Sequence, residues 1–217
     1  WTFAGIARPV KHSGKTLFIT ANLNSGGAQR SLVNLAEAIR GKMRFAISVA
    51  GNSSTPCFYH VLKRCGVDVT STGEPWNAFA YAEKLVGKIC AEQFDTVCFW
   101  NLDARIKLLI VKSLGFTEVN FVDVSPGNYT FDEMSSAAEF QQLVSFSQQE
   151  YFSRLDSLVL KYHGPYPEEC SETVRIIPNG IARPHKMKTD YAVHGKPSVV
   201  VSGRIAPTKF LKEIILA

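Results

Sequence analysis

Residues 16–39 read TLFITANLNSGGAQRSLVNLAEAI, and they place a strand pattern, a glycine turn and a helix pattern in immediate succession. Thr16–Ala21 is almost continuously apolar, as in strands that are buried on both faces of a parallel sheet. From Ala28 to Ile39, apolar residues recur every three to four positions along one helical face. Gly26 and Gly27 join the two patterns. The segment therefore predicts a strand, a tight turn and an amphipathic helix.

The same alternation continues along the chain. Six further β-type runs follow: Arg44–Ala50, Val67–Thr70, Asp95–Trp100, Val119–Val124, Ser157–Leu160 and Val174–Ile177. Two helical stripes, Phe79–Cys90 and Ile106–Leu114, stand between them, and we expect Gly41 and Gly115 to end the helices that precede them. This order predicts an α/β fold with a doubly wound parallel sheet, whose ligands bind outside the carboxyl ends of the strands.

The glycine turn has the chemistry of an anion site. Glycine lets the backbone approach a ligand closely, and the amide groups that open a helix attract negative charge. A tight turn without any ligand is the alternative. A nicotinamide-binding loop needs a third spaced glycine and an acidic residue after the second strand, and a P-loop needs Gly-Lys-Ser/Thr; the segment matches neither.

Pro178-Asn179-Gly180 carries turn residues after a strand and predicts a domain boundary. We therefore expect a first domain over residues 1–180 and a linker with the start of a second domain over residues 181–217. Ser198–Ser202 reads as a strand, and a helix pattern follows it up to the last residue. A strand, loop and helix start cannot bury their own apolar surface, so we expect this second domain to be truncated here. The absence of an initiator Met fits an excerpt of a longer protein.

The net charge of +5 comes from the last 37 residues, because residues 1–180 are neutral. Arg204 and Lys209 follow the Ser198–Ser202 strand, and a guanidinium with an ammonium can grip two phosphates at once. The alternative is that the two cations lie on a loop and bind no ligand. Aromatic residues are not interleaved with the charges, which disfavours a nucleic-acid partner.

The cysteine, histidine and apolar patterns of the sequence bear on its cellular compartment and on metal and membrane binding. Five cysteines form no CxxC pair, and the five histidines are scattered, so we expect reduced thiols, a cytoplasmic location and no metal site. No apolar run approaches the roughly 18 residues of a membrane span, and residues 1–15 lack a signal-peptide core.

Three segments together resemble the retaining GT-B glycosyltransferases of the family 4 (group 1) type. They are NSGGAQRSLVNLAEAI, like the family's Gly-Gly-Ala-Glu/Gln-Arg motif; RIIPNGI, like its strand end near the hinge; and VVVSGRIAPTKFLKEIILA, like its Gly-Arg and Pro-x-Lys segment with the following helix. The three occur in the family's order and at fitting distances, and the resemblance covers Thr16 to Ala217.

The resemblance implies two Rossmann-like domains that face each other across a cleft. It implies hexosyl transfer, with retention, from a nucleoside-diphosphate sugar to a glycan or lipid-linked acceptor, as in polysaccharide biosynthesis, with no catalytic metal or other cofactor. Gly26 and Gly27 would approach the donor diphosphate, while Arg204 and Lys209 would bind it and help it leave. The hinge would lie at Asn179-Gly180.

The sequence departs from the family at the acceptor side. Ser125 stands roughly where many members carry a His, and the loop after Asp95–Trp100 offers Asn101 and Asp103 rather than a His. With Asn128, these residues are our candidates for acceptor binding, and capping of a loop is the alternative for each. Phe210 replaces the usual glycine after Lys209.

The family's paired glutamates belong to the second domain, so the catalytic residues are unknown and we expect this fragment to be inactive alone. A nucleotide-sugar epimerase on the same fold and a non-catalytic glycan-binding module are the alternative functions. A lipid-linked acceptor would bring peripheral contact with a membrane, yet residues 1–180 show no basic amphipathic helix. The sequence does not reveal the oligomeric state.

Overall fold

The computed structural model describes residues 13–51, 57–71, 77–125, 129–161, 166 and 168–180. Strands and helices alternate through this part of the chain. The strands are β1 (Lys15–Thr20), β2 (Arg44–Val49), β3 (Val69–Ser71), β4 (Thr96–Trp100), β5 (Asn120–Ser125), β6 (Ser157–Leu160) and β7 (Val174–Ile176). The helices are α1 (Gly27–Ile39), α2 (Cys57–Arg64), α3 (Ala78–Ala91), α4 (Ala104–Leu114), α5 (Tyr129–Ser136), α6 (Ala138–Val144) and α7 (Gln148–Ser153), and a 3-10 turn covers Glu168–Cys170.

The seven strands form one parallel sheet in the order β3-β2-β1-β4-β5-β6-β7. This confirms the predicted α/β Rossmann-like sheet, and the seven strands predicted before residue 181 each lie within two residues of an observed one; the predicted Ser198–Ser202 strand lies outside the described residues. The chain winds outward from β1 to β3 and then returns to β4, on the other side of β1. The order therefore reverses between β1 and β4, the place where such sheets open a crevice for ligands.

Two apolar cores cover the two faces of the sheet. Leu17 and Ile19 of β1 face a core shared with α3, α4 and the helices after β5. Phe18, between them, faces the core shared with α1 and α2. This alternation follows from the pleat of a strand, which points successive side chains to opposite faces. Burial on both faces explains why the strand patterns in the sequence are almost continuously apolar.

Helices α1, α3 and α4 follow the predicted stripes, but α2 and α5–α7 have no counterpart in our sequence predictions. The reason is clearest for α6, which buries none of its residues and therefore needs no apolar stripe. Gly41 lies just beyond α1 with a positive φ of 74°, and the N–H of Gly115 bonds to the carbonyl of Val111 at the end of α4. Both expected stop signals therefore mark helix ends.

A buried ion pair ties α4 to β5. Nζ of Lys107 lies 3.0 and 2.9 Å from the two carboxylate oxygens of Asp123, and the side chains are only 2% and 0% exposed. Tyr151 and Thr130 donate further hydrogen bonds to the same carboxylate, at 2.8 and 3.3 Å. Burial and the Asp123 charge raise the pKa of the Tyr151 phenol well above its ordinary value, so it stays a donor. The buried carboxylate is thus fully solvated by protein groups.

None of the helices in the described segments has the length and apolar character needed to cross a bilayer. Residues 181–217 lie outside the described residues, and with them Arg204 and Lys209; Asn128 lies outside as well. The division into two domains and the cation pair therefore stay predictions.

Candidate ligand-binding cleft

The turn between β1 and α1 is organised by Asn22. Its side-chain oxygen accepts hydrogen bonds from the Asn24 amide and from Nε2 of Gln29, both at 3.1 Å. The Gln29 side chain is buried, and its Oε1 lies close to where a Cβ on Gly26 would be. The amide of Gln29 thus packs against Gly26. One side of the turn is closed by the protein itself.

The other side of the turn is open. Helix α1 begins at Gly27, and its N-cap residue, Gly26, has no side chain with which to cap the first turn. A Cβ on Gly27 would meet nothing within 4 Å, and this residue borders a cleft. Amide groups at the start of a helix normally receive a side-chain acceptor, water or a ligand. The first turn of α1 consequently presents its positive end to the space beside Gly27.

Trp100, the last residue of β4, holds this turn in place. Its Nε1 donates a 2.8 Å hydrogen bond to the carbonyl oxygen of Ala28, and the side chain is buried. The ring also makes an edge contact with Phe18, with 6.4 Å between ring centroids. The bond joins the helix that follows β1 to the end of β4, directly across the switch point. Trp100 thus fixes the wall of the cleft against the sheet.

The cleft has a volume of about 180 Å³. Its walls come from the carboxyl edge of the sheet and from the first turn of α1: Gly27, Ala28, Ser31, Trp100, Val124, Lys161 and Asn179. Sites for whole drug-sized ligands usually start at about 300 Å³. The space therefore suits one part of a larger ligand, such as its phosphate groups.

Lys161 brings a positive charge to this cleft. It directly follows β6, and Nζ lies 4.7 Å from the centroid of the Trp100 ring. Burial lowers the pKa of the ammonium below its ordinary value, with a smaller opposing effect from Cys98. Burial likewise raises the pKa of the Cys98 thiol, so this sulfur stays protonated and neutral. The cleft thus contains a lysine that has lost part of its hydration.

The structure brings two groups of predicted site residues together. Gly27, predicted to approach a diphosphate, and Asn179, predicted at the hinge, line the same cleft. Gly26 adjoins it as the residue before α1, and Gly180 follows Asn179 on an exposed stretch of chain. The glycine turn and the end of the first predicted domain therefore meet at the carboxyl edge of the sheet.

The predicted acceptor residues lie elsewhere: of those described, Asn101, Asp103 and Ser125 do not line this cleft. Asn101 follows β4 in a left-handed conformation, with φ of 51°. Ser125 ends β5 on the face opposite the cleft and is 2% exposed. Their roles in acceptor binding stay predictions.

Asp103 serves as the N-cap of α4. Its carboxylate accepts the Arg105 amide at 2.9 Å and pairs with the Arg105 guanidinium at 3.0 and 2.8 Å. Burial raises the pKa of Asp103, but the hydrogen bonds and charge of Arg105 outweigh it, so the pKa lies below its ordinary value. The side chain is 23% exposed. Capping, the alternative weighed for this residue, describes what the carboxylate does here.

The sequence predictions missed Trp100 and Lys161. Both stand where a doubly wound sheet binds its ligands, at or just after the carboxyl end of a strand. That position was the available signal, because neither residue belongs to a recognisable motif or spacing.

No protein-family model matches the sequence, and no curated protein matches it either. Solved structures do match. The fold is similar to that of HepE from Anabaena. HepE in complex with UDP and glucose superposes with a TM-score of 0.50 at 15% identity, over 77% of this chain and 44% of HepE. HepE with UDP-glucose gives the same TM-score and coverage at 14% identity. The chain thus spans less than half of HepE, and at this identity the likeness establishes the fold.

Proposed function

We propose that this chain belongs to a glycosyltransferase that moves a hexose from a nucleoside-diphosphate sugar to a glycan or lipid-linked acceptor, with retention. The chain supplies the first Rossmann-like domain, and the second domain supplies most of the donor site, including Arg204 and Lys209. Three sequence segments resemble this family, and the fold is similar to that of HepE, which was solved with UDP-glucose. These two independent likenesses support the same ligand class.

The observation that carries the proposal is the first turn of α1, which borders the cleft and whose N-cap, Gly26, offers no side-chain acceptor. An anion placed there receives backbone N–H groups and the positive end of the helix. Gly27 permits this approach because it projects no side chain into the cleft. We assign the turn to the donor diphosphate, whose negative charge grows when the sugar leaves and is best stabilised by groups already in position.

On the acceptor side, we propose that the loops after β4 and β5 bind the glycan, through Asn101 and the Ser125–Asn128 segment. Strands β4 and β5, which precede these loops, are parallel neighbours and end at the same carboxyl edge of the sheet as the cleft. A lipid-linked acceptor would add peripheral membrane contact, with the protein acting from the cytoplasm.

The test replaces Gly27 by Ala in the full-length protein and measures UDP binding by calorimetry. The new methyl group has open space in the fold but lies beside the cleft, so we expect UDP affinity to fall about tenfold, or ~1.4 kcal/mol. The free energy of unfolding should rise by about 0.5–1 kcal/mol, because alanine favours a helix over glycine.

Gly87→Ala is the matched control. Gly87 lies inside α3, where an added Cβ also meets nothing within 4 Å. It should gain similar stability and keep the UDP affinity of the wild type. Equal affinity in the wild type and both variants would contradict the assigned role of the turn.

A further inference from the structure

We propose that Lys161 binds the diphosphate of the nucleotide-sugar donor, so that the first domain contributes a cation of its own to the ligand. The inference rests on the proposed function and deepens it. It predicts that the phosphate-binding charge is shared between the two domains, and does not come from Arg204 and Lys209 alone.

The first argument is position. Lys161 and the first turn of α1 line one cleft of about 180 Å³, together with Trp100 and Asn179. A ligand group that reaches the Gly27 amide region therefore shares this small space with the lysine side chain. Among the lining residues that the structure describes there is no carboxylate.

The second argument is charge balance. Within the described residues, Lys161 forms no ion pair, whereas two cations of α4 do. Lys107 is neutralised by Asp123, and Arg105 by Asp103. A half-buried ammonium without an anion pays a desolvation cost, as its lowered pKa indicates. A phosphate oxygen in the cleft would offset this cost by pairing with the ammonium.

The third argument is the contact between Lys161 and the Trp100 ring. The Trp100 ring attracts the ammonium through its π face at 4.7 Å, while Nε1 of the same ring holds the carbonyl of Ala28. One rigid side chain therefore sets the positions of both the lysine and the helix turn. Groups that are fixed in advance lose little conformational freedom when a ligand binds. This geometry favours a compact anion with more than one oxygen, as in a diphosphate.

The experiment compares Lys161→Met and Lys161→Arg in the full-length protein, with UDP, pyrophosphate and uridine as probes. Methionine keeps the length and apolar stem but removes the charge. We expect Lys161→Met to weaken UDP and pyrophosphate about tenfold or more, the range for a charge-assisted hydrogen bond, while uridine binding stays unchanged. Lys161→Arg should retain most of the affinity, and the salt dependence of UDP binding should become less steep in Lys161→Met only.

Lys63→Met is the matched control, because Lys63 also lies over an aromatic ring, that of Tyr59 at 5.8 Å, but on α2 outside the cleft lining. It should leave all three affinities unchanged. Circular dichroism melting of every variant establishes that the fold is intact.

The outcomes separate the two proposals. Unchanged UDP affinity in Lys161→Met overturns the role of Lys161 and leaves the proposed function standing. Equal weakening of UDP and uridine also overturns it, because the lysine would then act through the shape of the cleft. A wild-type protein that binds neither UDP nor pyrophosphate contradicts the proposed function, and the inference falls with it.

Discussion

Two strand-to-helix turns stand side by side at the switch point, and they end differently. The turn from β1 to α1 has Gly26 as its N-cap, which carries no side-chain acceptor for the helix amides. The turn from β4 to α4 has Asp103 as its N-cap, and the carboxylate accepts the Arg105 amide. Their strands are hydrogen-bonded neighbours, so the difference lies in the turn residues and not in their place in the sheet.

The comparison shows which turn is available to an anion. At α4, a built-in carboxylate already occupies the position that a phosphate would take, and it is neutralised by Arg105. At α1, the corresponding position faces a cleft that contains Lys161. A fold with two similar helix starts thus directs a negative ligand to one of them by capping the other. The following variants test how firmly each turn is held.

The largest change in stability is expected for Lys107→Met. Lys107 lies in helix α4, the helix whose first turn is capped by Asp103. The change leaves the buried Asp123 carboxylate without its counter-ion, with Tyr151 and Thr130 as the remaining donors. We expect a loss of about 3–5 kcal/mol in the free energy of unfolding, measured by urea denaturation. Lys112→Met is the control, because Lys112 binds the exposed carbonyls of Val144 and Ser145 and carries no buried charge. A similar small loss in both variants would show that the pair does not anchor α4.

An intermediate change in stability is expected for Trp100→Phe, which alters the contact between β4 and the first turn of α1. Phenylalanine keeps an aromatic ring but is smaller and lacks the N–H, so the half-buried Ala28 carbonyl keeps Ser31 but loses Trp100 as a donor, and a buried position is underfilled. The free energy of unfolding should fall by about 1–3 kcal/mol in urea denaturation. UDP should also bind more weakly, because the first turn of α1 is no longer held against β4. Wild-type stability in this variant would mean that the sheet does not anchor the turn through this bond.

The smallest effect is expected for Asp103→Ala, which opens the capped turn. Loss of an N-cap costs about 1 kcal/mol, and urea denaturation at pH 7 should show it. The pKa of Asp103 is lowered in the fold, so its carboxylate stabilises the protein above the unfolded pKa of about 3.9 and loses this effect as the pH falls through the folded value. The difference between variant and wild type should therefore shrink in acid. A difference that stays constant with pH would exclude a contribution from ionisation.

The strands were predictable because their physical signature is local. A parallel strand that is buried on both faces must be apolar at nearly every position, so a run such as Asp95–Trp100 identifies itself. The short helices after β5 were not predictable in the same way. Helix α6 buries no residue and so has no apolar stripe. Helix α7 begins at a capping box between Ser147 and Glu150, and at six residues it is too short for a stripe to repeat.

For the candidate cleft, the sequence predicted a location but not the contacts that shape it. The alternation of elements predicted a doubly wound parallel sheet, and with it the edge where ligands bind. The contacts that shape the cleft join distant parts of the chain: Trp100 meets Ala28, and Lys161 meets Trp100. Nothing in the neighbouring residues of Lys161 indicates which aromatic ring it will face. Such pairings depend on sheet register, which a single sequence does not state.

The hydrogen bond from Trp100 to Ala28 also bears on how the protein is made. The two residues are separated by 72 positions, so strands β1 to β4 must be synthesised before helix α1 can contact Trp100. Asn179 arrives later still, as the chain leaves β7. Helix α1 can thus form early in synthesis, whereas the cleft is complete only after β7 has docked. A nascent chain halted before β7 would carry the glycine turn, Trp100 and Lys161 but lack the Asn179 side of the cleft.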